Sequence, residues 1–103
     1  MNITITARKF KARETLKDHI KDELKSLLKY NDGIISADVI LSFQNNHDSV
    51  KKAEISLQIP GHILIAKNES DEFIKAVSGA SEKLSRQLKT LKSKRKSRAK
   101  WQL

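Results

Sequence analysis

Apolar residues recur along this chain with two periods, and each change of period marks an element. Ile3, Ile5 and Ala7 alternate with Asn2, Thr4 and Thr6, which predicts a strand with one buried face. From about Glu14 to Tyr30 the apolar positions are Leu16, Ile20, Leu24, Leu27 and Leu28, the spacing of one helix face, and Asn31-Asp32-Gly33 supplies the stop. Alternation returns as Ile35, Ala37, Val39, Leu41 and Phe43 between Ser36, Asp38, Ser42 and Gln44, after which Asn45-Asn46-His47-Asp48 reads as a hairpin loop. A third alternation, Ala53, Ile55, Leu57 and Ile59 against Lys52, Glu54, Ser56 and Gln58, ends at Pro60-Gly61. That turn leads into the short run Ile63-Leu64-Ile65-Ala66.

The final helix is predicted to start near Ser70 and Asp71, with Asp71 and Glu72 in its first turn, where acids complement the helix dipole. Its core stripe is Phe73, Val77, Ala80, Leu84, Leu88 and Leu91. At 100° per residue these six lie within about 40° of Leu84, whereas Lys75, Lys83, Arg86, Lys89 and Lys96 lie about 100° or more away. The helix is therefore apolar below and mainly basic above. Past Leu91, Arg95 and Arg98 take the angular positions of core residues, so the helix is expected to outrun the sheet.

The resulting order β-α-β-β-β-α defines an α+β fold: a four-stranded sheet with two helices packed on one face and the other face wet. A right-handed crossover through the first helix makes the first two strands parallel. Residues 1–103 are read as a single domain with a basic C-terminal extension over about 94–103. There is no Cys, which excludes disulfides and thiolate metal sites. The N-terminus lacks a signal-peptide pattern and no apolar run reaches membrane-spanning length, so a cytoplasmic protein is expected.

Charge changes the picture most. Residues 1–82 carry twelve basic and twelve acidic side chains; residues 83–103 carry nine basic and none acidic, which accounts for the net charge of +9. Such asymmetry fits a polyanionic partner, and because the run begins inside an apolar helical repeat, part of it is held on a rigid surface. The first helix adds Lys17, Lys21, Lys25 and Lys29 at four-residue steps, a row roughly 18 Å long at 1.5 Å per residue. Asp18 and Asp22 dilute that row. It reads either as a solvated mixed-charge face or as an extension of the basic surface of the second helix.

Other chemistry finds no support. His19, His47 and His62 form no ligand pair, no glycine-rich phosphate loop precedes a helix, and the acids are scattered rather than paired. No enzyme activity, metal or cofactor is expected. Phe43 and Phe73 fit the core pattern, and the aromatics show no paired motif for stacking single-stranded bases. Trp101, after Lys100, fits stacking on a base, packing back on the protein or plain exposure.

Glu72-Phe73-Ile74-Lys75-Ala76-Val77 and Lys83-Leu84-Ser85-Arg86-Gln87-Leu88 resemble the ribosome hibernation-promoting factors, also called ribosome-associated inhibitor or factor Y proteins. The likeness extends back through Leu16-Lys17, His19-Ile20, Leu24 and residues 34–41, nearly the whole chain. It implies a factor that binds rRNA of the small ribosomal subunit in the mRNA and tRNA channel and silences idle ribosomes without chemistry. It also implies that Lys17, Lys29, Lys83, Arg86, Lys94 and Arg98 face rRNA; helical geometry adds Lys89 and Lys92. Arg13 stands where the family has a Thr cap, and Glu72 with Ile74 replace Asp and Tyr. The chain is similar to the short form, without an acidic tail or an added C-terminal domain. It is therefore expected to inactivate single ribosomes, with a separate small partner needed to join two. A free-standing binder of structured RNA is the alternative, followed by a transcription modulator.

Overall fold

The computed structural model describes the backbone of residues 1–44 and 47–101 and the side chains of residues 1–43 and 50–91. The elements are β1 (Asn2–Ala7), α1 (Glu14–Ser26) with a closing 3-10 turn (Leu27–Lys29), β2 (Ser36–Gln44), β3 (His47–Ile59), β4 (His62–Ser70) and α2 (Phe73–Trp101). The sheet order is β1-β2-β3-β4, with β1 parallel to β2 and the other pairs antiparallel. The predicted α+β architecture is thus the observed one.

Register explains the two faces of the sheet. Ile5, Val39, Ile55 and Ala66 are successive Cα partners across all four strands, and Ile3, Ala37, Leu57 and Leu64 form the next row on the same face. Between them lie Thr4, Asp38, Ser56 and Ile65, whose side chains point the other way. The apolar rows join Ile20, Leu24 and Leu27 from α1 and its closing turn, and Val77, Ala80, Leu84 and Leu88 from α2, in one core. Both helices thus cover one face. A fully buried side chain of this size stabilises by roughly 1.5–3 kcal/mol, so period and burial together fix which face closes.

Several boundaries differ from the pattern. β4 runs to Ser70 rather than ending near Ala66, because residues 67–70 pair in register with residues 51–54 of β3. The helix start moves accordingly. Asp71 and Glu72 precede α2 instead of occupying its first turn, and Glu72 accepts the Ala76 N–H through its backbone carbonyl at 3.0 Å. His47 and Asp48 belong to β3, not to a loop, because pairing resumes at Gln44–His47 beyond an irregularity after Phe43. Asn45 and Asn46 lie outside the described residues. Alternation does not reach back to Ile35, which is 47% exposed while Ile34 is buried, since the strand geometry that enforces period two starts only at Ser36. α1 tightens into a 3-10 turn at Leu27, and the Asn31 side chain then accepts the Gly33 N–H at 2.8 Å, ending the helix as an Asx turn.

α2 lies over β3 and β4 and beside α1. It comes close to β4 at Gly79, where a Cβ would stand 2.0 Å from the Asn68 amide nitrogen. That amide donates to the Ala76 carbonyl at 3.3 Å, tying the polar second half of β4 to α2. Leu91 still packs against the core, and the helix continues beyond it to Trp101.

Candidate nucleic-acid interface

The seam between the helices is built from both chain segments. Glu23 on α1 accepts a hydrogen bond from the Ser78 hydroxyl on α2 at 3.0 Å, and His19 Nε2 lies 3.7 Å from the same Glu23 oxygen. His19 Nε2 is buried without a hydrogen-bond partner among the described residues. The middle of the seam is therefore polar rather than basic.

Basic residues meet at one end of it. Lys29 from the 3-10 turn and Lys89 from α2 each place Nζ 5.1 Å from the centroid of the Tyr30 ring. Tyr30 is fixed there because its N–H donates to the Leu27 carbonyl at 3.0 Å and its ring packs against the core. Beside it opens a hollow of about 340 Å³ whose walls include Lys29, Tyr30, Asn31, Asp32 and Leu88. Each ammonium gains roughly 0.5–1 kcal/mol from the ring face. The ring thus gathers one cation from each of the two segments at the same place.

The other described candidates lie apart from this pair. Arg86 sits on the exposed crest of α2 with Nη2 2.7 Å from Glu82 Oε1, an i,i+4 pair worth only a few tenths of a kcal/mol and so readily exchanged for a phosphate. Lys83 leans over β4, donating to the Lys67 carbonyl at 2.6 Å, and Gln87 next to it donates to the Ile65 carbonyl at 3.1 Å. Lys17 stands 3.7 Å from Glu14 near the start of α1. Lys21 and Lys25 are exposed. The two basic surfaces therefore join at Tyr30, whereas Lys17 and Lys83 occupy separate flanks. Lys92, Lys94, Arg98 and Trp101 lie outside the described side chains.

Periodicity passes over two features. Tyr30 falls after the last helical repeat, where spacing implies no partner for it. The loop between β1 and α1 carries Arg8, Lys9, Lys11 and Arg13, all exposed, around an inward Phe10 and a buried Ala12. Phe10 stacks on Phe73 with centroids 4.8 Å apart, and Phe43 meets both rings edge-on at 5.2 and 5.4 Å. The signal in the sequence is the density of cations, four within six residues, with Phe10 and Ala12 spaced to point inward.

The sequence profile of the family described as sigma 54 modulation protein / S30EA ribosomal protein matches residues 3–96. Ribosome-associated factor Y of Haemophilus influenzae is 33% identical over 98 residues, covering 95% of this chain and 89% of the relative. Ribosome hibernation promoting factor of Pseudomonas putida is 29% identical over 97 residues, covering 94% and 92%. The solved N-terminal domain of Protein Y from Thermus thermophilus superposes with a TM-score of 0.78 at 27% identity, covering 88% of this chain and 99% of that domain.

Proposed function

The chain belongs to the sigma 54 modulation / S30EA ribosomal protein family, and from that premise we propose that it is a ribosome hibernation factor that binds rRNA of the small subunit in the mRNA and tRNA channel. The observation that supports this reading is the convergence of Lys29 and Lys89 on Tyr30, which joins the basic surfaces of two separate helices into one ridge. In this reading Lys17, Lys83 and Arg86 flank that ridge, and Lys92, Lys94 and Arg98 extend it along α2. Binding is driven by counterion release and by shape, with no bond made or broken, and it inhibits translation by occupancy. The names of the Haemophilus and Pseudomonas relatives support the ribosome as partner.

Gradient sedimentation of a stationary-phase lysate, probed for this protein, tests the partner. Co-migration with small subunits and whole ribosomes is expected; migration with heterogeneous RNA or with RNA polymerase would replace the reading. Neutralising Lys83, Arg86 and Lys89 should weaken subunit binding and reduce its log-log salt slope by up to about one unit for each phosphate left unneutralised. A folded triple variant with an unchanged slope would remove these residues from the interface.

A further inference from the structure

The β1–α1 loop is a basic surface outside the helical ridge. Arg8, Lys9, Lys11 and Arg13 are exposed, and none of them has an ion pair or side-chain hydrogen bond among the described residues. This sets them apart from Lys17, Lys52, Lys75 and Arg86, each of which has a carboxylate within 4 Å. Four like charges in six residues repel one another, yet the fold holds them in place. Arg8 N–H donates to the Leu41 carbonyl at 2.9 Å, extending the β1–β2 ladder by one bond. Phe10 is locked between Phe43 and Phe73, Ala12 is buried, and Lys9 turns the chain with a φ of +64°. The backbone is pinned at Arg8, Phe10 and Ala12; Lys9, Lys11 and Arg13 are exposed, and Arg8 lines a hollow on the open face of the sheet with Lys52, Glu54 and Lys67. Beside the loop lies a hollow of about 470 Å³ whose walls include Lys11, Arg13, Lys51 and Phe73, with Glu72 as an acid among them.

Position identifies the partner. Arg13 leads directly into α1, so the loop stands at one end of that helix while Lys29 and Lys89 stand at the other. The 13 residues of α1 alone span about 20 Å at 1.5 Å per residue. A ligand that satisfies both clusters must carry negative charge at intervals over that distance, which a nucleic-acid backbone does and a single small anion does not. We propose that the β1–α1 loop is a second phosphate-binding element, gripping the RNA backbone through Arg8, Lys9, Lys11 and Arg13 at the end of α1 opposite Tyr30. The assignment of that RNA to the ribosome rests on the function proposed above.

The test combines Arg8→Gln, Lys9→Asn, Lys11→Gln and Arg13→Gln, Asn being chosen at position 9 because it tolerates left-handed backbone. Binding to purified ribosomes and to deproteinised ribosomal RNA is measured across a salt series, with circular dichroism confirming the fold. Lys75→Gln, on α2 with its ammonium 3.5 Å from Asp71, is the charge control. The log-log slope of the loop variant should fall by at least about two units, whereas the control should change by less than about half a unit. If the fourfold variant fails to fold, the pair Arg8→Gln and Lys11→Gln is read in the same way, with a fall of about one unit or more expected. Ribosome binding with a slope indifferent to the loop, or equal falls per charge in the control, would overturn the inference and leave the ribosome reading intact. Loop-dependent binding to free rRNA without binding to ribosomes would do the reverse. Binding of the wild type to neither would overturn both.

Discussion

Gly79 shows how much one missing carbon can decide. Alanine in a helix interior is ordinarily favoured over glycine by roughly 1 kcal/mol. Here the added Cβ would stand 2.0 Å from the Asn68 amide nitrogen and 2.7 Å from its Cγ. Relief requires moving Asn68, which breaks its bond to the Ala76 carbonyl, or lifting α2 from β4, and overpacking of this kind costs about 1–3 kcal/mol. Gly79→Ala should therefore destabilise by about 1 kcal/mol net in urea unfolding, and Asn68→Ser should recover most of that loss in the double variant. A stabilised Gly79→Ala protein would mean that Asn68 yields freely. Asp71 acts through charge instead. The Ser70 hydroxyl donates to it at 3.1 Å and the Lys75 ammonium lies 3.5 Å away, so its carboxyl titrates below the usual value. A lowered folded value means that the stabilisation is complete above the unfolded pKa and is lost as pH falls through the folded one. The stability difference between wild type and Asp71→Asn should thus be flat from about pH 5 to 7 and shrink in more acidic solution. Melting both proteins at successive pH values checks this.

Elements were legible wherever packing obeys a period. The stripe from Phe73 to Leu91 emerged from spacing alone, and its six residues all join the core or pack against it. β2 and β3 followed from alternation for the same reason. The outer half of β4 did not, because Lys67, Asn68, Glu69 and Ser70 contain no apolar member. Their strand conformation comes from pairing with residues 51–54 and from the anchoring of Asn68 on α2, which are tertiary facts. The candidate interface divides similarly. Spacing exposed Arg86 and Lys89 on the outer face of α2, but only the crossing of two helices brings Lys89 to Lys29. The cations of the β1–α1 loop belong to no repeat, and the aromatic clamp that fixes them joins three distant segments. Turn chemistry was transparent: Gly61 adopts a φ of +80°, as the second central position of a type II turn requires. Among the described residues nothing lies within 4 Å of a Cβ added there, so Gly61→Ala meets backbone strain. It should cost about 1–2 kcal/mol in thermal or urea unfolding. Asn at this position should lose less than Ala.

Across the whole molecule, charge is divided along the chain. Residues 1–82 are balanced at twelve of each sign, and the surplus lies beyond them on α2 and the end of the chain. Neutrality of the sum leaves room for local imbalance, as the β1–α1 loop shows. The sheet also has a boundary at β4, which among the described residues pairs with β3 on one side only. On its other side the Ile65 and Lys67 carbonyls are taken by Gln87 and Lys83 from α2. An outer strand with vacant acceptors is a template for a further strand, and Ile63 and Ile65 beside it, 67% and 50% exposed, would reward such an addition. The two side chains act as a guard against edge-to-edge polymerisation. Replacing both Lys83 and Gln87 by Ala should leave the monomer folded yet cause concentration-dependent self-association, visible by light scattering and suppressed by adding Ile65→Lys. A double variant that stays monomeric at high concentration would show that the strand is protected by other means. If the function proposed above holds, the flank that carries Lys83 would serve twice, in binding RNA and in keeping the free protein from polymerising.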